Sequence, residues 1–139
     1  MKAGFYSIIL LMACLLVGAC QQEVVHSDEA IFHTWEAKEF ISVESVPYEK
    51  LEGNPILLTF KRDGTYALKL DINSCGGNFQ ADTNWIELTL PICTEACCDS
   101  PFSYKLASML PKVTSYTIEG ETLKLNVPQW GYIELELVE

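Results

Sequence analysis

The stretch 113–138, VTSYTIEGETLKLNVPQWGYIELELV, decides the fold, because apolar and polar residues alternate through it in three runs separated by turn residues. The runs are Val113 to Glu119, Leu123 to Val127 and Tyr132 to Val138, with turns at Gly120-Glu121 and around Gln129-Trp130-Gly131. Period-two alternation puts every second side chain on one face, so each run predicts a half-buried strand. In the last of them Ile133, Leu135 and Leu137 are expected to face inward, with Glu134 and Glu136 toward water. Two acids on the solvated face of one strand are ordinary for an antiparallel sheet and do not make a catalytic carboxylate pair.

Immediately upstream, Ser100-Pro101 opens the one clear helix, with Ser as N-cap and Pro at the first helical position. Phe102, Leu106, Met109 and Leu110 build its apolar face, and Pro111 ends it. Further back, Ile56 to Lys61 and Thr65 to Ile72 flank Arg62-Asp63-Gly64, a hairpin signal. Leu68, Leu70 and Ile72 are expected on one face of the second strand, with Lys69 and Asp71 on the other. Gly76-Gly77 reads as an interruption before Asn78-Phe79, and Trp85 to Leu90 restores alternation with Ile86, Leu88 and Leu90 inward. Trp35, Ala37, Ile41 and Val43 alternate with Glu36, Lys38, Ser42 and Glu44 in a first strand, while Glu39 and Phe40 break its register and mark a bulge. Residues 47–55 read as a connection. About seven strands and one mid-chain helix imply an α+β fold, a curved antiparallel sheet or open barrel closed by the helix.

The N-terminus fixes the expected compartment. Lys2 precedes an uncharged run from Phe5 to Leu16, too short to span a bilayer and suited to a signal peptide, and Val17-Gly18-Ala19-Cys20 reads as a bacterial lipobox. Residues 1–19 are therefore expected to be a signal peptide and 20–33 a lipidated cysteine with a polar tether, leaving 34–139 as the folded domain. Two or three acyl chains at Cys20, each buried CH₂ contributing about 0.8 kcal/mol, anchor a domain durably. The expected location is the cell envelope, at the outer membrane on its periplasmic or surface face.

Of six cysteines, Cys14 leaves with the signal and Cys20 takes the lipid. Cys75, Cys93, Cys97 and Cys98 remain, and in an exported chain such a set predicts disulfides ahead of a zinc site. Bridging adjacent cysteines is awkward, so Cys75 is expected to pair with Cys97 or Cys98, and Cys93 with the one left over.

The chain has 9 Lys and Arg against 19 Asp and Glu, a net charge of −10. That surface repels phosphate backbones, which argues against nucleic acid as a partner and leaves membrane contact to the lipid. His26 and His33 both fall in the tether, and no nucleophile elbow, paired metal histidines or phosphate-binding Gly loop occurs. No catalytic residue, metal or cofactor is called for. Trp130 and Tyr132, at a loop tip, are the candidates for contact with a partner.

The order of motifs carries a resemblance. A Trp-led first strand, Phe60-x-x-Asp63-Gly64, a bend containing Cys75, a second cysteine cluster, a helix with Met109-Leu110, and then Val113-x-x-Tyr116-x-Ile118-x-Gly120-x-x-Leu123-x-Leu125 resembles the META domain family, the HslJ-like heat-shock lipoproteins. The likeness spans Thr34 to Val138. It departs at the bend, where the family has Gly-Cys-Asn followed by Gly and an aromatic, and this chain has Ser74-Cys75-Gly76-Gly77-Asn78-Phe79. The resemblance implies a small β-rich fold on bacterial lipoproteins linked to envelope stress, without an established catalytic activity. The expected function is thus a membrane-anchored, non-enzymatic domain that binds an envelope protein or small ligand. The alternative is a lipocalin-like carrier of a small apolar ligand, which would need a large apolar cavity in place of a filled interior.

Overall fold

Alternation drives the chain into nine antiparallel strands and one helix in the computed structural model, which describes residues 27–138. In chain order these are β1 (Thr34–Ser42), β2 (Leu57–Phe60), β3 (Thr65–Lys69), β4 (Ser74–Ala81), β5 (Ile86–Leu88), β6 (Ile92–Cys93), α1 (Pro101–Met109), β7 (Ser115–Glu119), β8 (Thr122–Val127) and β9 (Gly131–Leu137). Neighbours run β5-β4-β3-β2-β1-β9-β8-β7, with β6 also paired to β4. Beyond the two ends of that path, Trp85 bridges Ser115, the Ile86 N–H donates to Thr114 at 3.3 Å, and the Tyr116 N–H donates to Asn84 at 3.0 Å. The sheet therefore curls into a nearly closed barrel, as its alternating pattern predicts. The two strands beyond the expected seven are short or continuous through glycine. β6 has only two residues, and β4 runs unbroken through Gly76-Gly77.

The interior is filled by side chains. Leu123, Leu125, Ile133 and Leu135 from the stretch that opened the reading are fully buried with Trp35, Leu58, Leu68 and Ile86. The stripe on α1 is buried as predicted, Phe102, Leu106 and Met109 on the helix and Leu110 in the single 3-10 turn that follows it. Ser100 caps the helix, its Oγ accepting from the Ser103 N–H at 3.2 Å. The β2–β3 hairpin turns where expected, with Gly64 at φ 81° and Asp63 Oδ1 accepting from the Thr65 N–H at 2.9 Å.

Several expectations about faces are corrected. The bulge falls between Ala37 and Glu39, and a one-residue slip exchanges faces. Beyond it Phe40 turns to the core, whereas Ile41 and Val43, expected inside, are exposed. Likewise β3 ends at Lys69, so Ile72 is exposed and Asp71 is buried; β5 ends at Leu88, and Leu90 is exposed. The expected tether is too long: Ser27–Ile31 forms a 3-10 turn, Ile31 is fully buried, and its carbonyl accepts from Trp35 Nε1 at 3.0 Å. Arg62 holds that turn through two bonds to Glu29, at 2.8 and 2.6 Å.

The disulfide pairing is also corrected. Cys75 and Cys93 face each other in the β4–β6 ladder and are bonded, with Cα atoms 4.0 Å apart, and Cys97 is bonded to Cys98. Antiparallel register overrides the argument from adjacency, because it places Cys93 opposite Cys75 before the loop reaches Cys97. Cys20 and His26, together with the lipobox, lie outside the described residues. Among the described residues no helix is long and apolar enough to cross a membrane.

Candidate functional site

The β1 bulge builds the most developed surface feature. Skipping a residue leaves the carbonyls of Ala37 and Lys38 turned away from the regular ladder, and the Lys50 ammonium donates to both, at 2.8 Å for Ala37. The same ammonium sits 4.2 Å from the centre of the Phe102 ring. Withdrawal from water there holds its pKa below the usual lysine range.

Around this point four aromatic rings meet. Phe40 stacks on Phe102 at 4.3 Å, and Tyr48 and Trp130 approach the Phe40 ring edge-on at 5.5 and 5.7 Å. The residues come from β1, the connection after it, α1 and the β8–β9 turn, so tertiary packing alone assembles them. Lys105 lies 5.2 Å from both the Tyr48 and Trp130 rings and pairs with Glu44 at 2.8 Å. Lys105, with the Trp130 indole and the Tyr48 hydroxyl beside it, lowers the Glu44 carboxyl to a pKa of about 2. Between these groups runs an open groove of about 330 Å³, lined by Lys38, Phe40, Val46, Tyr48, Lys50 and Phe102 among others. It offers aromatic faces edged by Lys38, Lys50 and Glu39, with Lys38 already paired to Glu36 at 2.8 Å and Glu136 at 3.2 Å, which suits a largely apolar group.

A second polar cluster ties the helix to the sheet. Asp71 Oδ2 accepts from the Ser100 N–H at 2.9 Å, from the Ser103 hydroxyl at 2.5 Å and from the Ser100 hydroxyl. Burial pushes the Asp71 carboxyl up, yet the Ser100 and Ser103 hydrogen bonds outweigh it and the net shift is downward. Beside it Asp99 accepts from the backbone N–H groups of Ile72 and Asn73 at 2.8 and 3.0 Å, and Asn73 binds Ala96 and Thr94. Both carboxylates hold backbone N–H groups, while Asp71 Oδ1 is buried without a hydrogen-bond partner among the described residues.

The residues singled out in the sequence are placed apart. Trp130 is a correction: it is 9% exposed, folded into the Phe40 cluster and not offered at a loop tip. Tyr132 is half-buried on β9 with the Lys124 ammonium 5.5 Å from its ring. His33 is exposed, edge-on to Trp35 at 6.3 Å. Among the described residues no group of three or more His, Cys, Asp or Glu is placed to hold a metal ion. Phe40 and Lys50 escaped the sequence reading; the register break at Glu39-Phe40 was the signal that could have led to both.

The barrel has structural counterparts. It superposes on the crystal structure of a DUF4847 family protein from Bacteroides vulgatus with a TM-score of 0.57 and 18% identity, covering 78% of this chain and 96% of that one. It also superposes on the NMR structure of a protein from Burkholderia xenovorans with a TM-score of 0.61 and 13% identity, covering 81% and 86%. At those identities the likeness is one of fold. No curated protein sequence matches the chain significantly. The family model of the META domain matches residues 19–132, and with the barrel order and helix now described, the chain belongs to the META domain family.

Proposed function

We propose that this chain is a bacterial envelope lipoprotein, lipidated at Cys20 at the outer membrane, whose META barrel is a non-enzymatic, stress-related binding module for an envelope protein or small ligand. The observation that carries the binding reading is the aromatic groove at the β1 bulge, beside an interior already filled by Trp35, Leu58, Leu125 and Ile133. A filled barrel supports recognition at the surface over a carrier's internal cavity. The lipobox supports the anchor. Cys20 stands seven positions ahead of Ser27, and seven extended residues reach at most about 25 Å, so lipid at Cys20 would keep the barrel close to the bilayer.

Metabolic labelling with palmitate tests the anchor: the wild type incorporates label and Cys20→Ala does not, and equal labelling of both rejects lipidation. A photo-reactive residue in place of Val46, on the groove, tests the module in intact cells against one in place of Glu121, exposed in the turn between β7 and β8. The Val46 position gives a discrete adduct that Glu121 lacks and that Tyr48→Ala weakens. Identical adducts at both positions, or none, reject the groove as the binding surface.

A further inference from the structure

We propose that Cys97–Cys98 is a reversible dithiol–disulfide site, opened by small thiols while Cys75–Cys93 stays closed, and that its reduced form is a two-sulfur chelate for thiophilic reagents such as trivalent arsenicals. The two pairs stand in opposite surroundings. Cys75 is buried and Cys93 half-buried, both within the β4–β6 ladder, whereas Cys97 and Cys98 are exposed in a segment without helix or strand. An attacking thiolate must reach a sulfur along the S–S axis, so exposure ranks the pairs.

The surroundings also provide a seat. Cys97 and, less exposed, Cys93 border a groove of about 340 Å³, with Leu70, Tyr104 and Ala107 in its apolar lining and Glu95 and Asp99 in its polar lining. Access sets the selectivity between the two pairs.

The chemistry balances with an external thiol as reductant. One thiolate attacks a sulfur of the pair, forming a mixed disulfide and releasing the other cysteine as a thiolate. A second external thiolate attacks the external sulfur of that mixed disulfide. The protein gains two electrons and two protons, and two thiols leave as one small disulfide. The resulting neighbouring thiols condense with phenylarsine oxide, forming two As–S bonds and releasing water.

The test uses the full chain, a graded series of dithiothreitol or glutathione, alkylation of free thiols, and peptide mass mapping that reports each cysteine separately. Cys97 and Cys98 become alkylated about ten-fold or more faster than Cys75 and Cys93. The partly reduced protein then takes up one phenylarsine oxide, mapped to 97–98, and Cys97→Ser/Cys98→Ser abolishes uptake while its near-ultraviolet circular dichroism stays that of the wild type. Simultaneous opening of all four cysteines, earlier opening of Cys75–Cys93, free thiols at 97 and 98 before reductant is added, or uptake that survives the double substitution overturns the proposal. If the double variant misfolds, the alkylation order in the wild type decides alone.

Discussion

Gly77 lies beneath the Tyr66 ring, and a Cβ there would come within 2.6 Å of the ring's Cε1 and hydroxyl. Tyr66 cannot easily yield, since it is 2% exposed and its hydroxyl donates to the Thr89 carbonyl at 2.7 Å. Gly77→Ala should therefore cost about 1–3 kcal/mol, read from the urea midpoint. The Gly pair that looked like an interruption is thus a strand position reserved for a neighbour's ring, which no local pattern can reveal. Glu44 makes a different prediction. Its carboxyl falls from 4.5 to about 2 in the folded chain, chiefly through Lys105, so its stabilising contribution is present above pH 4.5 and is lost as pH falls toward 2. Urea titrations of the wild type and Glu44→Gln should differ near neutral pH and converge across that window. The pairing of Glu44 with Lys105 joins residues 61 positions apart, beyond the reach of sequence spacing.

At the scale of elements, α1 was legible almost completely, because its N-cap, its Pro at the first position and its stripe are all local signals. Leu106, fully buried on that stripe, provides the check: Leu106→Ala should cost about 2–5 kcal/mol in chemical denaturation, while His33→Ala, at an exposed position, should leave the midpoint nearly unchanged. β1 was legible only in part. Its bulge showed as a broken alternation, but the pattern did not say which side resumed inward, and the answer came from Phe40 finding Phe102. The groove followed from that choice. Had Ile41 faced the core, Phe40 would point to water and Phe102 would lose the ring stacked on it. β6, two residues long, lies below the length at which alternation carries information, and with it went the disulfide pairing.

Across the whole molecule, curvature was foreseeable from about seven short alternating runs, whereas the closing seam rests on a single bridge and two hydrogen bonds around Trp85 and Ser115. Cys75–Cys93 reinforces that half of the barrel. With the cysteines 18 positions apart, replacing both by Ser should lower stability by about 3 kcal/mol, measured as a shift in thermal midpoint against the unreduced wild type. The position of β1 between β2 and β9 has a further meaning for how such a chain comes into being. A ribosome delivers the N-terminal end first, so β1 emerges with β2 close behind it, while its other neighbour is made after every other strand. Throughout synthesis the first strand keeps one raw edge, and such edges are where nascent copies adhere to each other. The barrel is completed only on arrival of Gly131–Leu137. Whatever guards the unfinished chain must hold β1 apart for nearly the full duration of its manufacture.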